Sequence, residues 1–268
     1  MAQAPPVQAP AFSITPSQAL NTKAPTGAVD PVGNAPDLKR VFDEHIASGD
    51  PRQRRVAARA FEACVPVFMP GSGQAPSPEA LVRALPPAYA SEREAAYRSL
   101  FARCYRLVTE GQAALIQTLQ TLERDSASQP PGQRAIEALL AGRLERIEPL
   151  VAEALSPADP AAVASLAGLA TRLAASRPAE AQGSELQQRA QAVDAALPWV
   201  ACDLGLDCSA QSLWALQLCA TQGLCEGDVL ARLAAGSVDP AAVQQQRRRL
   251  LGLIRSGRPL GTSDLLPP

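Results

Sequence analysis

The chain of 268 residues is long enough to bury a substantial core in one large or two smaller domains. Its 25 basic and 26 acidic residues leave a formal net charge of −1, so no global field draws it to nucleic acid or to an anionic membrane. No apolar run approaches the roughly 18 residues of a membrane-spanning helix, and an aromatic content of 4% leaves few stacking platforms for sugars.

Residues 1–36 carry prolines at positions 5, 6, 10, 16, 25, 31 and 36 and no sustained apolar periodicity. They read as a disordered or polyproline II tail, a spacer ahead of the folded region. From Asp37 onward the pattern is helical. Asp50-Pro51, Asp159-Pro160 and Asp239-Pro240 each place an N-cap acid before a proline at the first helical position, where its missing N–H costs nothing. Apolar residues then recur at three- and four-residue spacing: Val56, Ala60, Ala63 and Cys64; Tyr97, Leu100, Phe101, Cys104 and Leu107; Leu115, Ile116, Leu119 and Leu122. These are predicted core faces.

Further helices are predicted over Ser77–Leu85, Gln133–Leu140, Arg143–Leu155, Pro160–Ala175, Ser184–Ala201, Gly227–Ala235 and Pro240–Arg255, with Pro149 kinking or restarting the second of these after residue 130. Alternating β-type runs are lacking. The expected fold is all-α, an irregular antiparallel bundle or solenoid-like array over residues 37–257, with a sub-boundary near 125–132 and a C-terminal tail over 258–268. Asp159-Pro-Ala-Ala-Val163 recurs as Asp239-Pro-Ala-Ala-Val243, an echo of shared capping grammar rather than a repeat array.

Six cysteines stand out: Cys64 and Cys104, and a local cluster of Cys202, Cys208, Cys219 and Cys225 spaced C-x5-C-x10-C-x5-C. An even count in an ordinary composition points to disulfides and so to an oxidising compartment. Structural zinc is the rival reading, but zinc knuckles space their ligands two to four residues apart, and the one histidine, His45, lies far away in sequence. With Ser209 as N-cap and Gly223 closing the C-terminus, Ala210–Gln222 reads as a helix roughly 20 Å long. Cys208 then cannot reach Cys219 or Cys225, because a disulfide needs Cα atoms within about 7 Å. The pairing that survives is Cys202–Cys208 and Cys219–Cys225, which leaves Cys64 to Cys104.

Signatures of chemistry are missing. The chain has no G-x-S-x-G, no phosphate-binding glycine loop, no H-E-x-x-H and no C-x-x-C. No catalytic, cofactor-binding or metal-ligating residue is singled out. His45 reads as a surface helix residue, Trp199 and Trp214 as packing against the disulfides, and the arginine groups Arg52, Arg54, Arg55 and Arg247-Arg248-Arg249 as solvated faces without a nucleic-acid role. Lys23 and Lys39 are the only lysines, and in so alanine- and proline-rich a chain the abundance of arginine carries no reading by itself.

The stretch Trp199-Val-Ala-Cys-Asp-Leu-Gly-Leu-Asp-Cys208, followed by Leu-Gln-Leu-Cys219 and Gly-Leu-Cys225, resembles uncharacterised exported bacterial proteins with a cysteine-rich helical C-terminal segment; Ala60-Phe-Glu-Ala-Cys64 and Arg103-Cys104 look like the rest of that pattern. The resemblance covers some 40 residues and implies export and disulfide bonding, with no activity attached. Because Met-Ala-Gln-Ala-Pro-Pro-Val lacks the basic and apolar regions of a leader, a periplasmic or secreted location requires a leader already removed, and the alternative is cytoplasmic. The expected function is a non-enzymatic helical scaffold or interaction protein with a protein partner; the alternative is a cell-envelope hydrolase acting through carboxylates. A polar cleft with two convergent acids would favour the enzyme.

Overall fold

The computed structural model describes residues 30–68, 89–156, 159–177, 183–234 and 239–266; the predicted helix Ser77–Leu85 lies outside them. Within the described residues every regular element is helical: α1 (Leu38–Ile46), α2 (Pro51–Glu62), α3 (Val65–Phe68), α4 (Ala90–Val108), α5 (Gln112–Arg124), α6 (Pro131–Leu140), α7 (Ile147–Ala154), α8 (Pro160–Ser165), α9 (Leu169–Ala175), α10 (Ser184–Asp203), α11 (Leu213–Gln217), α12 (Val229–Ala234), α13 (Pro240–Arg255) and α14 (Thr262–Leu265). The acids predicted to start helices do so. Asp50, Asp159 and Asp239 accept amide hydrogen bonds from Arg52, Ala162 and Ala241 at 2.9, 3.1 and 2.9 Å, and Asp37 does the same for α1 through Arg40 at 3.2 Å.

Three predicted helices are shorter or broken. Pro160–Ala175 is two helices, because Gly168 takes a left-handed φ of 89° and Asp194, from α10, accepts the Ala170 and Thr171 amides at 3.0 and 2.9 Å to cap α9 afresh. Arg143–Leu155 begins as a 3₁₀ turn at Leu144–Arg146 before α7, in which Pro149 falls in the first turn. Ser209 does not cap the helix before Gly223. Ser212 does, accepting from the Ala215 amide at 3.2 Å, and α11 passes into a π-helical turn at Leu218–Gln222. The Leu213 amide is taken at 2.8 Å by the Gly33 carbonyl, so a contact from 180 residues away in sequence settles where this helix starts.

Two cores form. One joins α1, α2, α4 and α5 around Leu38, Phe61, Leu100 and Leu107; the other joins α6 to α10, α13 and α14 around Val163, Leu166, Leu197, Leu250 and Ile254. They divide between Leu122 and Ala135. Yet Leu213, Leu216 and Ala220 return to the first core, so the two are interlocked rather than strung in series. Ile116, expected on a core face, is instead 49% exposed.

Both chain ends take more part in the fold than their composition predicts. Val32 is fully buried, and Asp30 accepts from the Val32 and Asp207 amides at 3.1 and 3.3 Å and pairs with Arg59, so the expected tail is already part of the body by residue 30. At the other end Leu260, Leu265 and Leu266 are buried, and Glu148 accepts from the Thr262 amide and hydroxyl at 3.0 and 2.6 Å. A few apolar residues against a ready surface are enough; periodicity is not required.

The cysteines pair as Cys64–Cys104, Cys202–Cys208 and Cys219–Cys225, with Cα–Cα distances of 5.6, 5.8 and 4.3 Å, and none is free. Of the arginines read as solvated faces, Arg52 and Arg248 are exposed, but Arg54, Arg55, Arg247 and Arg249 are wholly or partly buried. Arg247 donates to both oxygens of Asp203 at 2.6 Å and lies 5.3 Å over the Trp199 ring, while Arg249 donates to the Asp264 and Leu265 carbonyls. Arg93 donates to the Ala220 and Thr221 carbonyls, and Arg232 to those of Gly227, Ala215 and Ala210. Each planar guanidinium closes several loop or helix-end acceptors at once, which an ammonium could not do with the same geometry.

Candidate functional site

Helix α2 sets Arg52, Val56 and Arg59 along one stripe, as three- and four-residue spacing dictates, and the buried Ala63 just past its end lines the same side. Opposite stand Pro160, Ala161 and Ala164 of α8 and the loop bearing Gly205, Leu206 and Asp207. Small side chains on that second wall leave a cleft between the two cores. It consists of an inner cavity of about 250 Å³ and an outer one of about 350 Å³, which share Asp30, Arg59, Ala161 and Leu206. The inner cavity ends against Leu213, Trp214 and Gln217; the outer one opens between His45, Asp50 and Arg52. A narrow extension of about 60 Å³ runs on towards Arg55 and Pro130.

Most charge in the cleft is committed to holding its walls together. Arg55, 9% exposed, donates to Glu153 at 2.9 Å and to Asp159 at 3.1 and 2.9 Å, and Arg134 reaches Glu153 at 3.5 Å. This network ties α2 to the second core, and breaking it from one side would strand buried charge. Asp30 is held by Arg59. Asp207 is only half satisfied: its Oδ1 accepts from the Ser209 amide at 3.0 Å, while its Oδ2 is buried with no hydrogen-bond partner. Arg103, whose basicity burial lowers and the Asp207 charge partly restores, spends its donors on the Gly33 and Gln211 carbonyls, each at 3.1 Å.

Glu62 is the remaining acid of the inner cavity. Its side chain is open to cleft water, yet protein surrounds it on most sides, and this partial desolvation, with the charge of Glu123 adding to it, holds its carboxyl above the usual carboxylate range. It also sits at the C-terminal end of α2, where the helix dipole disfavours a negative charge. Among the described residues it has no ion pair.

That placement has a testable consequence. A carboxyl whose folded pKa lies above its unfolded value is favourable to stability below the unfolded pKa, and the benefit is lost as pH rises through the folded one. Glu62→Gln should therefore unfold at a higher temperature than the parent at pH 7, with the difference vanishing near pH 4. Thermal melts across that window check this; a lower melting temperature at pH 7 would mean that Glu62 is held by a stabilising partner.

Of the residues singled out in the sequence, none of the six cysteines lines the cleft, but two of the disulfides adjoin it. Cys202–Cys208 closes the loop that contributes Leu206 and Asp207, and Cys64 follows Glu62 and Ala63 directly. Trp214 packs in a small core beside Cys208 and also forms a wall of the inner cavity, and Trp199 lies under Arg247. His45 borders the outer cavity. Sequence reasoning missed Asp30, Arg59, Glu62 and Asp207, and read the buried Arg55 as solvated. The mixed stripe from Arg52 to Ala63, polar and small where a wholly solvated helix face would be uniformly charged, is the signal that could have pointed to them. Among the described residues no group of three or more His, Cys, Asp or Glu side chains is arranged to hold a metal ion, and no helix is long and apolar enough to cross a membrane.

The class defined by fold and site is an all-α, disulfide-stapled protein with a mixed polar and apolar cleft between two interlocked cores. No protein-family model, curated protein or solved structure matches the chain.

Proposed function

We propose that this is a non-enzymatic interaction protein of an oxidising, extracytoplasmic compartment, which receives a segment of a partner protein in the cleft between its cores. The observation that carries this reading is the state of the cleft carboxylates. Asp30 and Asp159 are neutralised by Arg59 and Arg55, and of the two inner-cavity acids without an ion pair among the described residues, Asp207 gives one oxygen to the Ser209 amide and buries the other, which leaves Glu62 without a second open carboxylate as two-carboxylate hydrolysis needs. What remains suits recognition: an apolar floor, a few fixed polar groups, and a wall running from Arg52 to Ala63, about 16 Å at the helical rise. That length accommodates an extended segment of about five residues. The three disulfides support the compartment, since such bonds persist where thiols are not kept reduced.

Selection from a displayed peptide library against the folded protein tests the reading, with Ala161→Trp as the counter-target that fills the cleft. Selected peptides should lose at least about tenfold in affinity for Ala161→Trp protein of unchanged melting temperature. Peptides that bind both proteins equally would place recognition elsewhere and overturn the proposal.

A further inference from the structure

We propose that the inner cavity is the anchor pocket for a basic side chain, lysine or arginine, of the bound segment; this rests on the reading of the cleft as a peptide site. At about 250 Å³ the cavity is smaller than the usual site for a whole small-molecule ligand and of a size for one long side chain. Its walls are chemically divided. Ala161, Leu206, Leu213 and Trp214 offer the apolar lining that a methylene stem covers well, while Glu62 and Asp207 supply charge beside it.

The charge balance selects a cation. Arg59 is the one basic residue lining the inner cavity, and it is already paired with Asp30, so the pair is close to neutral and offers little to an incoming anion. Neither Glu62 nor Asp207 has an ion pair among the described residues, and Arg103, which the Asp207 charge does reach, spends its donors on the Gly33 and Gln211 carbonyls. Asp207 in addition keeps a buried oxygen without a partner, a feature that costs stability in the free protein and that a positive charge nearby would offset. An ammonium or guanidinium seated there would favour the charged form of Glu62, and the aromatic wall of Trp214 adds a surface to which cations are attracted.

Three capped peptides, acetyl-Ala-Ala-Xaa-Ala-Ala-amide with Xaa lysine, norleucine or glutamate, separate charge from stem. Binding is followed by fluorescence in the Trp199→Phe protein, where Trp214 is the one tryptophan left. The lysine peptide should bind at least about tenfold more tightly than the norleucine peptide, the glutamate peptide should be weakest, and the lysine preference should shrink severalfold in 0.5 M salt. Glu62→Gln should remove most of that preference. Should that variant prove unfolded, the salt dependence of the intact protein carries the test. Norleucine or glutamate binding as tightly as lysine, with the signal abolished by Ala161→Phe, which fills the cleft without adding a tryptophan, would overturn the basic anchor and leave the peptide cleft standing. A lysine preference untouched by Glu62→Gln in folded protein would also overturn it. No response of Trp214 to any of the three overturns the anchor pocket, while the peptide cleft itself is judged by the library selection.

Discussion

Removal of the Cys64–Cys104 bond, as Cys64→Ala with Cys104→Ala, should lower the unfolding free energy by about 4 kcal/mol, the largest effect of the three disulfides. The two residues are 40 apart in sequence, so the bond closes a long loop in the unfolded chain; the chain-entropy relation assigns about 4 kcal/mol to such a loop and about 2 kcal/mol to the six-residue loops of Cys202–Cys208 and Cys219–Cys225. Both sulfurs are fully buried in the first core, between the end of α2 and the middle of α4, so the double variant also leaves a small void. Urea unfolding of the three double variants in non-reducing buffer measures the order. Equal losses for the three pairs would show that native packing, rather than loop closure, dominates.

Gly132→Ala should destabilise the protein by about 3 kcal/mol or more, although α6 on its own would gain up to about 1 kcal/mol from the better helix former. The reason lies in the second core. A Cβ at position 132 would stand 2.2 Å from the Ser165 carbonyl oxygen, 2.3 Å from its carbon and 2.5 Å from the Leu166 nitrogen, all backbone atoms of the end of α8. Backbone cannot step aside as a side chain would. The Gly132 amide also donates to the Ser165 hydroxyl at 3.0 Å, so separating the two elements loses that bond as well. Unchanged or increased stability in a urea titration would show that α6 and α8 do not approach this closely. The two effects have opposite signs, so the measurement leaves no room for compromise between them.

Both cases bear on how much of this molecule can be read in its residues. The cysteine pairing was legible because it depends on local reach: a sulfur pair six residues apart can close a turn, and one separated by a helix cannot. The pairing holds although the premise was partly wrong, since the intervening helix begins at Leu213 rather than just after Ser209 and tightens into a π-helical turn. Enough helix remains between Cys208 and Cys219 to keep them apart. The Asp-Pro starts were legible for the same reason, each being a contact between a side chain and an amide two or three residues on.

The candidate site was not legible, because the contacts that assemble it are long-range. Arg55 meets Asp159 from 104 residues away, Asp30 meets the Asp207 amide from 177, and Leu213, beside Trp214 in the wall of the inner cavity, is hydrogen-bonded to the turn at Gly33. A run of arginines on a helix looks the same in sequence whether it is solvated or buried against carboxylates. By itself the sequence determined the helical class, the helix starts marked by Asp-Pro, and the three disulfides, since propensity, capping and short-range reach act within a few residues. Only the tertiary structure decided which arginines became staples, how both ends of the body were drawn into the two cores, and where those cores leave a cleft, because burial and charge pairing depend on which distant segments the packed chain brings together.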